Sequence, residues 1–170
     1  MRNTILETCL LKGNFKLRSG QVSNVYFDKY LLESHPDILG ALVNELVNET
    51  VNFKDSIEIV AGLEVGGIPI ATLLSHKTYI PLLIVRKKPK EYGTCKFAEG
   101  IDYRGKNVLI VEDVITSGGQ VIESGKMLRD TGANLIGVVA ILTRSKDGIT
   151  NIQNELGIPV KYLYDFSEEI

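Results

Sequence analysis

Val108-Leu109-Ile110-Val111-Glu112-Asp113-Val114-Ile115-Thr116-Ser117-Gly118-Gly119-Gln120 decides how the rest of the chain is read. Four β-formers, Val108 to Val111, lead into two adjacent carboxylates, Glu112 and Asp113. Two apolar residues, two hydroxyls and two glycines follow, and a helical pattern begins after Gln120. This order predicts a buried strand, a tight polar loop and a helix N-terminus. The apolar run fits a central parallel strand covered on both faces. The loop brings hydroxyls, unpaired backbone N–H groups and the positive end of a helix dipole to one point, which suits a phosphate. The carboxylates stand at the strand's carboxyl end, where open α/β sheets bind ligands. Acids beside a phosphate cradle make sense if the ligand also presents sugar hydroxyls or a divalent metal.

Working outward, a second strand, glycine loop and helix precede the first. Residues 57–61 read as a short strand ending in Gly62-Leu63-Glu64-Val65-Gly66-Gly67, and residues 68–76 as a helix with Pro69 in its first turn. Further apolar strands are expected at 81–85, 135–142 and 160–164. Ile38, Leu39, Leu42, Val43, Leu46 and Val47 recur at helical spacing, so 36–51 is a helix with one buried face, started by Pro36. Helices are also expected at 121–131, ending at Gly132, and at 150–156, capped by Gly157, with a polar loop at 144–148. At the N-terminus, 3–12 reads as a helix with Thr4 and Glu7 as a capping box and Gly13 as C-cap. Residues 15–26 look irregular, with a short edge strand at 26–28. Residues 86–100 show no period and carry Arg86, Lys87, Lys88 and Lys90, the composition of a mobile surface loop. Strands alternating with helices predict an α/β fold with a mainly parallel sheet, its glycine loops on one edge.

Composition narrows the class. With 170 residues, 44% apolar and 24% charged, one domain spanning 1–170 with a full core is expected. The formal charge of −2 argues against a general nucleic-acid surface, and no apolar run approaches a bilayer span, so neither nucleic acid nor membrane is an expected partner. Glu7 and Lys12 interrupt any signal-peptide core. Cys9 and Cys95 lack metal-like spacing, so reduced thiols in the cytoplasm are the expectation.

There is no Gly-x-Gly-x-x-Gly fingerprint and no Gly-Lys-Ser/Thr of a P-loop. The order apolar strand, Glu112-Asp113, two apolar residues, Thr116-Ser117-Gly118-Gly119 instead resembles the phosphoribosyl diphosphate (PRPP) signature of type I phosphoribosyltransferases. Other segments narrow the resemblance to the orotate phosphoribosyltransferases. Phe15-x-Leu17-x-Ser19-Gly20-x-x-Ser23-x-x-Tyr26-Phe27-Asp28 looks like their N-terminal substrate stretch, 62–71 like their pyrophosphate-side loop, and Arg86-Lys87-x-x-Lys90-x-Tyr92-Gly93 like their flexible catalytic loop. Arg144 stands where that family places an arginine after the strand that follows the PRPP helix.

The resemblance implies a type I phosphoribosyltransferase fold, with residues 1–30 as a small base-side hood. It implies transfer of a phosphoribosyl group from PRPP to orotate, giving orotidine 5′-monophosphate and pyrophosphate in pyrimidine synthesis. Glu112 and Asp113 would hold the ribose hydroxyls, and Thr116, Ser117, Gly118, Gly119 and Gln120 the 5′-phosphate. Glu64, Val65, Gly66 and Gly67 would face the pyrophosphate, with Tyr92 reaching its oxygens. Arg86, Lys87 and Lys90 would neutralise the leaving group, acting catalytically with Asp113. Arg18, Tyr26, Phe27, Thr116 and Arg144 would contact the base, Arg144 facing its carboxylate. Mg²⁺ would be held mainly through PRPP and water rather than by protein ligands. A homodimer sharing the 86–93 loop between subunits is also implied.

The chain departs from the family's pattern at Tyr92, where a histidine is common, at Arg18 and Gly66, where lysine is usual, and at Thr143, where aspartate is common; it ends soon after Asp165. Two other readings stay open: a type I phosphoribosyltransferase for another base, and a PRPP-binding regulatory module with little catalysis.

Overall fold

The computed structural model describes residues 1–16, 20, 22–51, 53, 56–88 and 96–169. Helix α1 (Arg2–Cys9) leads into a hairpin of β1 (Leu10–Lys16) and β2 (Val22–Phe27), then α2 (Lys29–Ser34) and α3 (Pro36–Thr50). The central sheet follows: β3 (Ile59–Leu63), α4 (Gly67–Thr78), β4 (Leu82–Val85), β5 (Ala98–Gly100), β6 (Asn107–Ile115), α5 (Gly119–Asp130), β7 (Asn134–Thr143), α6 (Lys146–Leu156) and β8 (Val160–Asp165). Its strand order is β5-β4-β3-β6-β7-β8, parallel throughout except for β5 at one edge. The expected α/β architecture with a mainly parallel sheet is what is found.

Alternation along β6 assigns its faces. Val108 and Ile110 pack with Val121 and Leu128 of α5 and Ile152 and Leu156 of α6. Leu109 and Val111 pack on the other side with Leu42 and Leu46 of α3 and Ile70 and Leu74 of α4. All four strand residues are fully buried. Burying each contributes about 1.5–3 kcal/mol, whereas strand propensities span only about 1 kcal/mol, so burial fixes this segment at the sheet's centre.

The N-terminal expectations need correction. Helix α1 stops at Cys9, its N-cap Met1 makes no side-chain cap, and Gly13 lies inside β1 rather than ending a helix. Long-range pairing overrides the local signal here. Leu10 pairs with Phe27 and Leu11 with Tyr26, drawing both leucines out of the helix, and the irregularity between Lys12 and Phe15 absorbs Gly13. The supposedly irregular stretch is therefore half of a hairpin. Two elements were not expected at all: α2, capped by the Asp28 carboxylate accepting from Tyr30 N, and edge strand β5. Helix α6 begins at Lys146, inside the expected loop, because Ser145 caps it by accepting from Gly148 N.

Candidate active site

Strand order reverses direction between β3 and β6, since β3 connects through α4 to β4 while β7 and β8 extend the other way. A crevice at such a switch point, at the carboxyl ends of the strands, is where open sheets take ligands. A cleft of about 660 Å³ lies there. It brings together Glu64, Lys87, Glu112, Asp113, Thr116 to Gln120, Tyr26, Phe27 and Arg144. Residues near 26, 64, 87, 113 and 144 thus meet although they are far apart in the chain.

The loop from Thr116 to Gly118 passes into α5 with Gly118 at φ 80°, a left-handed value that glycine tolerates. No side chain caps α5; only Ser117 Oγ accepts from Gly119 N, at 3.4 Å, so donors of the first turn face the cleft. Helix α6 supports the loop from behind. A Cβ on Gly148 would stand 1.8 Å from the Thr116 carbonyl oxygen, and one on Gly118 2.7 Å from the Gly148 carbonyl. Asn151 Nδ2 donates to the Ser117 carbonyl at 3.3 Å. Thr143, fully buried, donates through Oγ1 to the Ser145 carbonyl at 2.9 Å, and Arg144 N donates to the Ile115 carbonyl at 2.8 Å.

Glu112 and Asp113 are 8% and 3% exposed, unusual for carboxylates. Burial, and then the neighbouring Asp113, push the Glu112 carboxyl well above its ordinary range. Burial also opposes ionisation of Asp113, but the Glu112 hydrogen bond and the Lys29 ammonium outweigh it and hold Asp113 low. Lys29 Nζ lies 2.6 Å from Asp113 Oδ2. One member of the pair therefore carries the charge and the other the proton. Glu64 caps the other wall, accepting from Lys87 N through Oε2 at 2.9 Å; the Glu64–Val65 peptide is cis.

On the opposite side, Tyr26 is 44% exposed and packs across the hairpin on Phe15, their rings tilted by 34° with centroids 5.5 Å apart, while Phe27 is buried with its ring 6.3 Å from that of Phe166. Arg144 is half-buried, burial depresses its pKa, and its Nε has no hydrogen-bond partner among the described residues. An anionic, planar acceptor would satisfy it.

Some expected residues are not on the walls. Arg86, Val65, Gly66 and Gly67 do not line the cleft. Gly66 lies behind it: a Cβ there would fall 1.8 Å from Asp113 Oδ2, so the lysine common at this position has no room. Arg18, Lys90 and Tyr92 lie outside the described residues, as does most of the 86–93 loop. Lys29 and Tyr30 of α2 line the cleft and were missed, because α2 itself was missed. The signal available was Asp28 ahead of a short apolar-spaced run, an N-cap pattern.

A family model described as "Phosphoribosyl transferase domain" matches residues 32–156. An orotate phosphoribosyltransferase from a Nocardioides species is 49% identical over 140 residues, covering 82% of this chain and 76% of that protein. The chain belongs to the orotate phosphoribosyltransferases. A second, from Pyrococcus horikoshii, is 42% identical over 151 residues, covering 89% of this chain and 81% of its own. Among solved structures, the orotate phosphoribosyltransferase of Mycobacterium tuberculosis superposes with a TM-score of 0.86 at 24% identity, over 97% of this chain and 94% of the other, a likeness of fold. Lys29, Gly148 and Ser145 support this chain's cleft without being announced by its motifs.

Proposed function

We propose that the cleft transfers the 5-phosphoribosyl group of PRPP to orotate, releasing pyrophosphate and orotidine 5′-monophosphate. The observation that carries this reading is the meeting, in one cleft, of the Thr116–Gln120 loop, the Glu112–Asp113 pair and Arg144. The family supplies the reaction; these residues supply its parts.

The first-turn donors of α5 and the Ser117 and Thr116 hydroxyls take the 5′-phosphate. Asp113, ionised, and Glu112 accept from or donate to the ribose hydroxyls, and the Asp113 charge offsets the positive charge that grows on the ribose as the C1–O bond breaks. The bond's electrons leave with pyrophosphate, which Glu64 and Lys87 receive at the cleft wall, joined by Arg86, Lys90 and Tyr92 of the 86–93 segment, while the Val65 to Gly67 backbone stands behind that wall. A ring nitrogen of orotate supplies the electron pair of the new C1–N bond and gives up its proton to an oxygen of the leaving pyrophosphate. Tyr26 and Phe27 hold the ring, with Arg18 and Thr116 beside it, and Arg144 pairs with the carboxylate. Alignment and charge neutralisation account for the rate; no covalent help from protein is required.

Cleft donors are carboxylate, hydroxyl and carbonyl oxygens, the hard set that suits Mg²⁺ carried in on PRPP and completed by water. Bound that way, the ion would lower the charge of the leaving pyrophosphate. The reading extends to one catalytic domain over residues 1–170 with the hairpin as a base-side hood, to a homodimer sharing the 86–93 loop, and to a cytoplasmic enzyme. No helix among the described residues is long and apolar enough to cross a membrane.

Purified protein mixed with PRPP, Mg²⁺ and orotate should consume orotate absorbance in proportion to PRPP. Turnover with uracil or a purine, and none with orotate, would overturn the base assignment and leave the PRPP half standing.

A further inference from the structure

Lys29 and Glu33 stand four residues apart on α2, one above the other on the same face. Both turn toward Asp113. Lys29 Nζ reaches Asp113 Oδ2 at 2.6 Å. The Glu33 carboxyl lies near the same oxygen: Asp113 Oδ2 and Glu33 Oε1 both fall within 2.7 Å of the point where a Gly66 Cβ would stand. Each of these oxygens is buried, and neither meets hydrogen-bond geometry with a donor among the described residues. Ionised carboxylates only accept hydrogen bonds and repel one another, so two that share a buried site favour a proton on one of them.

We propose that Lys29 and Glu33 are positioning residues for the ribose site: Lys29 keeps Asp113 ionised and aimed, and Glu33, by holding a shared proton, keeps a second negative charge away from the incoming PRPP. The proposal rests on reading the cleft as a PRPP site. It adds two residues of an element whose sequence resembles no phosphate motif. Glu112 and Asp113 line the cleft, and an ionised Glu33 beside Asp113 would add a further negative charge next to a polyanionic substrate, with one ammonium among the three carboxyl groups.

The groups facing Glu33 are Asp113 from β6, Lys29 from its own helix and Asp28 at the helix cap, with Gly66 at the start of α4 nearby. Burial first, and then Asp113, push the Glu33 carboxyl up to about 8, with Asp28 adding to the rise and Lys29 opposing it. The proton is thus present at neutral pH and lost above pH 8.

Calorimetric titration of the intact protein with Mg²⁺ and PRPP, at pH 7 and pH 9, tests this. A group titrating near 8 falls from about 90% to about 10% protonated across that range, so wild-type Kd should rise about tenfold. Ionisation of PRPP itself is common to every variant and cancels in the comparison. Glu33→Gln should bind like wild type at pH 7 and lose the rise, with Kd changing less than about twofold. Lys29→Met should weaken binding by at least about tenfold at both pH values, and Lys29→Arg should restore it. Thermal melts confirm folding; if Lys29→Met does not fold, Glu33→Gln and Lys29→Arg still decide. A Glu33→Gln profile that tracks wild type, or a folded Lys29→Met with wild-type affinity, overturns the proposal alone. Wild-type protein that binds no PRPP overturns it together with the function on which it rests.

Discussion

The proposed 5′-phosphate side of the cleft is one uninterrupted piece of chain, whereas the proposed base side joins residues 26 and 27 to residue 144, more than a hundred positions further on. On the proposed reading, backbone donors would bind on the first side, and their placement follows from a strand, a loop and a helix in fixed succession. Long side chains would bind on the second, and their placement depends on a hairpin and a strand end that the sequence does not link. A local device is specified largely by its own residues and the segment that backs it; an assembled one is fixed by everything that holds its parts in register. Substitutions should therefore be abrupt on the first side and graded on the second.

The largest effect is expected at Gly66. Gly66→Ala would place a Cβ 1.8 Å from Asp113 Oδ2, and moving that carboxylate by about 1 Å should lower kcat/KM for PRPP by about 10²-fold. A fully active Gly66→Ala enzyme would break the comparison, because the phosphate side would then be adaptable. Next is Arg144→Ala, which removes a charge-assisted pair of about 1.5–3 kcal/mol, so kcat/KM for orotate should fall about 10–100-fold while PRPP affinity stays put. Equal losses for both substrates would mean that Arg144 shapes the loop instead. Tyr26→Ala should raise KM for orotate about 2–10-fold, the range of an aromatic contact, with kcat little changed. Smallest in activity is Ser145→Ala. It removes the cap of α6 and should cost about 1 kcal/mol of stability, seen as a lower Tm, with turnover nearly intact.

The same contrast explains what could be read in advance. Residues 108–120 gave strand, loop and helix correctly because all three signals are local and agree. Gly157 ends α6 in the left-handed conformation for the same reason. The N-terminus went wrong because its local and long-range signals conflict: Leu10 and Leu11 continue a helical pattern, yet their partners are Phe27 and Tyr26. The backbone of Arg144 is anchored by its N–H on the Ile115 carbonyl, a long-range contact that nothing in the sequence marks as part of a ligand site. Lys29 was invisible for a plainer reason, since nothing in the chain tells which carboxylate a lysine will meet.

The interlock of Gly118 and Gly148 has a consequence for anyone who would move this chemistry to another scaffold. Each glycine is flush against the other's segment, with a would-be Cβ at 2.7 Å from the Gly148 carbonyl on one side and 1.8 Å from the Thr116 carbonyl on the other. The smallest portable unit is therefore discontinuous. Thirteen residues copied into a foreign strand–helix junction would carry the letters of the phosphate loop without its backing, and a working graft would have to bring residues 143–152 as a second, facing piece.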